Sequence, residues 1–361
     1  MKVARGYLFA LATLCTGACP SYVGAFEIKP GARLHLDQAW HDSDTRPLKD
    51  DFTVRRARVG LDGKLGTDWS FEIAYELADD GSYKDVSLRY GGWRPGDITV
   101  GQFKVPFGLE ELISSNNTLF VERALPGDAF GQARRVGIGF DRSEDRYTLS
   151  LMGFGRSIDG DEGRGAGARF TFLPIRSERS LLHVGTALTT ERPAGEVDFK
   201  ARPESRPTGV RFVNTGDMDD VGRIHRLGLE LAWQAGPFTA QAEWMGADVE
   251  RSARPDAKLS GWYAAGSWML TGEPRRYKSG VFKSVTPGGR FGAWELGVRY
   301  SHLDLDDGLV RGGTEDNVTL GLNWYAGEHI RVLANYIKVR SERRGISDDP
   351  DILLMRVQFV L

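Results

Sequence analysis

From residue 26 onward the chain is organised by a period of two. In Phe71-Glu72-Ile73-Ala74-Tyr75-Glu76-Leu77 the odd positions are large and apolar, and the even ones are acidic or small. Leu227, Leu229, Leu231 and Trp233 alternate with Arg226, Glu230 and Ala232. Val318, Leu320, Leu322 and Trp324 do the same with Asn317, Thr319, Gly321 and Asn323. Such alternation sends successive side chains to opposite faces of a strand, and no stretch holds a helical period well enough to compete. The pattern predicts strands over 26–40, 52–65, 68–79, 83–93, 97–104, 134–142, 146–156, 164–173, 181–190, 224–234, 237–249, 259–271, 292–303, 315–325, 330–341 and 351–361. The last of these puts Leu353, Met355, Val357, Phe359 and Leu361 on one face.

The connections carry a second pattern. Every second link is short and rich in turn formers, as in Leu65-Gly66-Thr67-Asp68, Arg94-Pro95-Gly96-Asp97 and Ala326-Gly327-Glu328-His329. The intervening links, including 105–133, 191–223 and 304–314, are expected to be longer and polar; 272–291 breaks the rule by being long on the short-turn side. Short turns at one end and long loops at the other are the mark of an outer-membrane barrel. The expected fold is therefore all-β: a sixteen-stranded antiparallel transmembrane β-barrel forming one domain over 26–361. Trp69, Trp93, Trp233, Trp262 and Trp324 are candidates for the aromatic girdles at its two interfaces. The third external link, 105–133, carries Phe107, Leu109, Leu112, Ile113, Leu119, Phe120 and Val121. Water is a poor place for that surface, so the loop is expected to fold inward and narrow the lumen.

Composition changes the picture in three places. Charged residues make up 27 % of the chain, a soluble-looking figure that a barrel tolerates because only alternate residues meet lipid. Residues 1–25 have the layout of a secretory signal peptide: Lys2 and Arg5, an apolar run from Tyr7 to Leu14, then Val23-Gly24-Ala25 before Phe26. Both cysteines, Cys15 and Cys19, fall in that segment, so the mature chain is expected to lack thiols and disulfides. The near-balance of 47 basic and 49 acidic residues argues against nucleic acid as a partner. Catalysis finds no support, because hydrolase elbows, phosphate-cradling loops and zinc-protease motifs are missing. The six histidines have no metal-ligand spacing, and no cofactor is implied. Asp219-Asp220, Asp306-Asp307 and Asp348-Asp349 are expected in external loops, solvated or facing the divalent cations that bridge lipopolysaccharide.

Several segments are more specific. Arg55-Arg56-Ala57-Arg58-Val59-Gly60-Leu61-Asp62-Gly63-Lys64-Leu65, Val100-Gly101-Gln102-Phe103-Lys104-Val105-Pro106-Phe107-Gly108-Leu109, Ser114-Ser115, Glu122-Arg123-Ala124-Leu125-Pro126 and Leu320-Gly321-Leu322-Asn323-Trp324-Tyr325 resemble the phosphate-selective porin O and P family. The resemblance runs in order over nearly the whole mature chain. It implies a trimeric porin in the outer membrane of a Gram-negative bacterium, in contact with membrane lipid and lipopolysaccharide, through which small anions such as phosphate or polyphosphate diffuse passively. It also implies Arg55, Arg56 and Lys104 as bases at the constriction, with Ser114 and Ser115 as hydroxyl donors. Asn116 departs from the family, which often has a basic residue there.

The residues themselves partly agree. The parity that sends Ala57, Val59 and Leu61 to lipid points Arg56 and Arg58 into the lumen; Arg55 points outward unless the strand carries a bulge. Arg135 is expected inward too, as are Arg89, Arg169, Arg226, Arg299, Arg331 and Arg356. Guanidinium forks match phosphate oxygens in pairs, and a row of weak sites lets an anion enter and leave. The alternative is that inward Glu72, Glu76, Glu230, Glu243 and Glu295 neutralise these bases as wall salt bridges, leaving a general or differently selective pore.

Overall fold

The computed structural model describes residues 26–43 and 45–361, so the expected signal peptide lies outside the described residues. Among these, sixteen strands form one closed antiparallel sheet: β1 (Phe26–Asp42), β2 (Asp51–Leu65), β3 (Trp69–Glu76), β4 (Ser82–Tyr90), β5 (Asp97–Lys104), β6 (Arg134–Ser143), β7 (Tyr147–Phe154), β8 (Arg164–Arg176), β9 (Ser180–Arg192), β10 (Val221–Ala235), β11 (Phe238–Arg251), β12 (Ala257–Met269), β13 (Ala293–Asp307), β14 (Val310–Tyr325), β15 (Ile330–Arg343) and β16 (Asp351–Val360). Each strand pairs with its neighbour in sequence, and β1 pairs with β16 to close the ring. Closure removes the free edges that would otherwise leave backbone groups unpaired in lipid. Every predicted run falls on one of these strands.

Alternation follows the sequence. Leu227, Leu229, Leu231 and Trp233 of β10 are exposed, while Arg226, Glu230 and Gln234 are buried. Aromatic pairs gather at the short-turn end: Trp69 with Tyr90, Phe238 with Trp268, and Trp294 with Trp324, whose planes lie within 18°. Trp262, packed against Tyr300, sits six residues before Trp268, about 20 Å along the strand. That spacing suits the two borders of an apolar band.

The links differ from expectation in two places. A short strand, Ile346–Asp348, pairs back on the end of β15, so Asp348 belongs to the ladder rather than to a loop. The predicted link 304–314 is mostly strand: β13 and β14 extend until a two-residue turn, Gly308-Leu309, joins them, with Gly308 at φ 55°. Asp306 and Asp307 thus belong to a strand rather than a loop. The polar composition of that stretch records a rim standing in water, where a ladder needs no apolar outer face. By contrast, 105–133, 193–220 and 270–292 are long links, and all three bury apolar residues.

Those residues form cores of a kind usual in soluble proteins. Phe107, Leu125 and Phe130 from 105–133 and Phe199, Val213 and Met218 from 193–220 pack with Ile224, Met245, Val249, Leu259, Leu303 and Leu305 of the wall. From the opposite end of the barrel, Val281 and Phe282 of 270–292 pack with Leu109, Ile113, Leu173 and Leu181. The seam between β1 and β16 is fastened by charge: Arg356, 1 % exposed, donates to both Asp37 oxygens at 2.6 and 2.7 Å. Replacing Asp37 by Asn is expected to destabilise the barrel by about 3 kcal/mol, since it strips a buried cation of its bidentate partner. A drop in the temperature at which the folded species disappears on unheated versus heated denaturing gels would show it.

Candidate functional site

The link 105–133 leaves the barrel ladder at Lys104 and rejoins it at Arg134. Only Leu109–Leu112 and Leu125–Phe130 are helical, so most of its backbone groups need partners from elsewhere. The wall supplies them. The Glu243 carboxylate accepts the amides of Leu109 and Glu110 at 2.6 and 2.7 Å, capping the first helix. Asn335 accepts the Val121 amide at 2.8 Å, and Asn323 donates to the Leu119 carbonyl at 2.9 Å. Arg331 and Gln358 donate to the Asn116 carbonyl, at 3.2 and 3.1 Å. The Asn116 side chain meets His35 Nε2 at 3.1 Å, and Arg56 donates to His35 Nδ1 at 3.3 Å. These contacts come from β1, β11, β14, β15 and β16, strands remote in sequence from the loop's own ends.

Beside the loop lies a cavity of about 630 Å³ bounded by β1 to β6. Six of the seven sequence-derived candidates line it: Arg55, Arg56, Arg58, Lys104, Ser114 and Ser115. Arg55 reaches it because the register between β1 and β2 shifts there: His35 pairs with Arg56 and Leu36 with Val54, leaving Arg55 as the extra residue of a bulge. A bulge lets two successive side chains share a face. Nine basic and six acidic side chains line the cavity, a surplus of three positive charges.

Some of the bases are matched. Arg55 grips Glu122 at 2.6 and 3.1 Å, Arg58 pairs with Glu76 at 3.0 Å, and Arg134 with Asp85 at 2.7 Å. Lys104 donates to the carbonyls of Glu111 and Ile113, so it ties the loop to β5 as well as lining the cavity. Arg33, Arg56 and Lys84 have no carboxylate partner among the described residues. Arg33 sits directly across the ladder from Arg58. Like charges in that position repel, and folding alone gives no reason to keep them.

Arg135 lies elsewhere. It pairs with Glu191 of β9, which also accepts from Arg226 at 2.8 Å, and its guanidinium rests over Phe154. The adjacent Arg134 is the one at the cavity. Most other inward arginines are occupied too: Arg169 with Glu230, Arg299 with Glu110, and Arg356 with Asp37 and Glu122. Arg331 has no carboxylate but holds two loop carbonyls and stacks on Tyr325. Arg299, Arg331 and Arg356 therefore hold the loop, whereas Arg135, Arg169 and Arg226 are neutralised within the wall. Sequence reasoning misses five cavity bases, Arg33, Lys84, Arg123, Arg134 and Arg206; alternation along β1 marks Arg33, whereas nothing local marks Arg206 in a long loop.

The profile of the family described as phosphate-selective porin O and P matches residues 28–361. Porin O of Pseudomonas aeruginosa is 27 % identical over 93 % of this chain and 88 % of its own length. An uncharacterized protein of Caulobacter vibrioides is 31 % identical over 87 % of this chain and 68 % of its own. Among solved structures, the anion-selective porin from Comamonas acidovorans superposes with a TM-score of 0.61 at 13 % identity, covering 93 % of this chain and all of that one. The trimer form of OmpT from Vibrio cholerae gives 0.62 at 10 % identity over the same shares.

Glu122 is the negative charge that Arg55 and Arg356 share. Glu122→Gln is expected to free Arg55 toward the cavity by removing the carboxylate that neutralises it. In bilayer recordings under a KCl gradient the reversal potential would then move toward chloride.

Proposed function

This chain belongs to the phosphate-selective porin O and P family, and we propose that its basic cavity is the constriction through which small anions, phosphate or polyphosphate foremost, cross the membrane. The molecule is an outer-membrane β-barrel porin. Solutes pass down their gradients and leave chemically unchanged, so no catalytic role is assigned. The observation that carries the anion reading is that three bases without a carboxylate partner among the described residues, Arg33, Arg56 and Lys84, line one cavity together with Ser114 and Ser115. A phosphate arriving there exchanges water for charge-assisted hydrogen bonds from guanidinium forks and neutral ones from the serines. The acidic residues of the same lining, Glu72, Glu76, Asp79 and Asp85 among them, keep the site from holding an anion too tightly. Conduction needs binding that is favourable enough to admit the ion and weak enough to release it.

The folded loop sets the bore. Its apolar side chains are buried among the walls, and its edge from Glu111 to Ser115 forms one side of the cavity. The trimer form of a structural neighbour supports a homotrimer for this chain. The sequence layout supports removal of residues 1–25 on export.

Three expectations follow. Bilayer reversal potentials under a KCl gradient should favour chloride, and millimolar phosphate should block the current. Lys104→Glu should abolish that block and turn the potential toward cations; a cation-leaning unsubstituted channel with no phosphate block would make it a general porin. Intact-mass measurement of the protein from outer membranes should give a chain that begins at Phe26.

A further inference from the structure

Residues 193–220 form the second long loop; beside its apolar packing on Leu303 and Leu305, its polar anchor in the β13–β14 wall is a buried carboxylate. Glu204 is 3 % exposed and makes three contacts to wall side chains at 2.5 Å each. Arg299 of β13 pairs with it, and the hydroxyls of Ser301 and Thr319 donate to its two oxygens. Arg299, itself 1 % exposed, reaches the third loop with its other nitrogen, at 3.2 Å from Glu110 and 3.1 Å from the Glu122 carbonyl. Its guanidinium stacks on Phe120, 4.4 Å from the ring centre. One buried cation thus joins the second loop, the third loop and the wall.

The backbone adds an independent sign. Glu204 has φ 53°, in the left-handed region that L side chains seldom adopt. Where the same loop needs positive φ with no anchor, it uses Gly209 and Gly216. A carboxylate held in that conformation is there for its contacts rather than for its turn geometry. Two residues on, Arg206 pairs with Asp79 at 2.8 Å and lines the basic cavity; beyond it, Thr208 meets His41 of β1 at 2.9 Å. The loop therefore spans the lumen from β13–β14 to β1, and carries a base to the pore between its two ends.

We propose that Glu204 is a positioning residue for permeation: by fixing Arg299 it holds Arg206 over the cavity and the third loop against the far wall, although it touches no permeating ion. This rests on the reading of the cavity as the ion path. Without the carboxylate, Arg299 keeps a single acidic partner, the second loop loses its polar hold on β13–β14 and keeps only its apolar packing there, and the bore widens toward the core side.

The test uses single channels of the full-length protein in planar bilayers. Glu204→Gly deletes the anchor with a residue that accepts the positive φ, so a change reports the lost contacts rather than a newly strained backbone. The expected result is a higher conductance, greater open-channel noise and an anion-to-cation permeability ratio lower by about twofold or more. Conductance, noise and reversal potential equal to those of the unsubstituted channel would overturn the proposal. If Glu204→Gly yields no folded barrel, Ser301→Ala with Thr319→Val removes only the hydroxyl donors; the same changes in smaller measure are expected, and unchanged recordings overturn it equally. An unsubstituted channel without anion preference would refute the proposed function instead, while conductance and noise would still judge the role of Glu204.

Discussion

The interior of this barrel is arranged around one requirement: a long, mostly non-helical loop inside the wall must have its backbone groups satisfied. A barrel strand is served by its neighbours, but residues 105–133 have left the ladder. Each buried amide or carbonyl without a partner would cost on the order of 1–3 kcal/mol. The wall answers with side chains chosen for reach and donor type. Glu243 and Asn335 accept amides, while Arg299, Arg331, Arg356, Asn323 and Gln358 donate to carbonyls. Arginine suits this work because its planar fork can serve a carboxylate and a carbonyl together, as Arg356 does for Asp37, Glu122 and Val121.

That requirement divides the charged lumen into two populations. Along β8 to β16, basic side chains are matched by acids or spent on loop carbonyls, and the space between them is filled by apolar clusters from the inward links. Along β1 to β6 the matching is incomplete, the like-charged Arg33 and Arg58 face each other, and a cavity remains open. The asymmetry leaves the open volume on one side of the lumen, because the other is packed like a protein core.

Three links rather than one shape that packing. Residues 105–133 and 193–220 meet through Phe130 and Phe199, with ring centres 5.8 Å apart, and through the Asp128 carboxylate on the Arg202 amide. From the short-turn end, 270–292 is tied to the wall by Arg275 on Glu295 and by Tyr277 beside His183, and its Phe282 reaches the first helix of the third loop. The third loop is thus held from above, from the side and from below, so its edge at the cavity is set by residues far from it in sequence.

The sequence by itself determined the barrel. Period-two alternation, turn formers and link lengths are local, and lipid on one face and polar groups on the other leave a strand no second choice of register. Six of the seven residues marked from the sequence line the cavity, because Arg56 and Arg58 follow strand parity and the apolar residues of 105–133 had to be hidden. Tertiary structure alone decided the rest. The bulge that turns Arg55 inward arises from the pairing of β1 with β2, and Arg135 is lost to the site because Glu191, more than fifty residues away, stands in reach. Which bases stay unmatched, and where Glu204 lands, depend on loops whose partners lie across the lumen. Alternation tells a side chain which face it occupies; only closure of the barrel decides which charge it meets there.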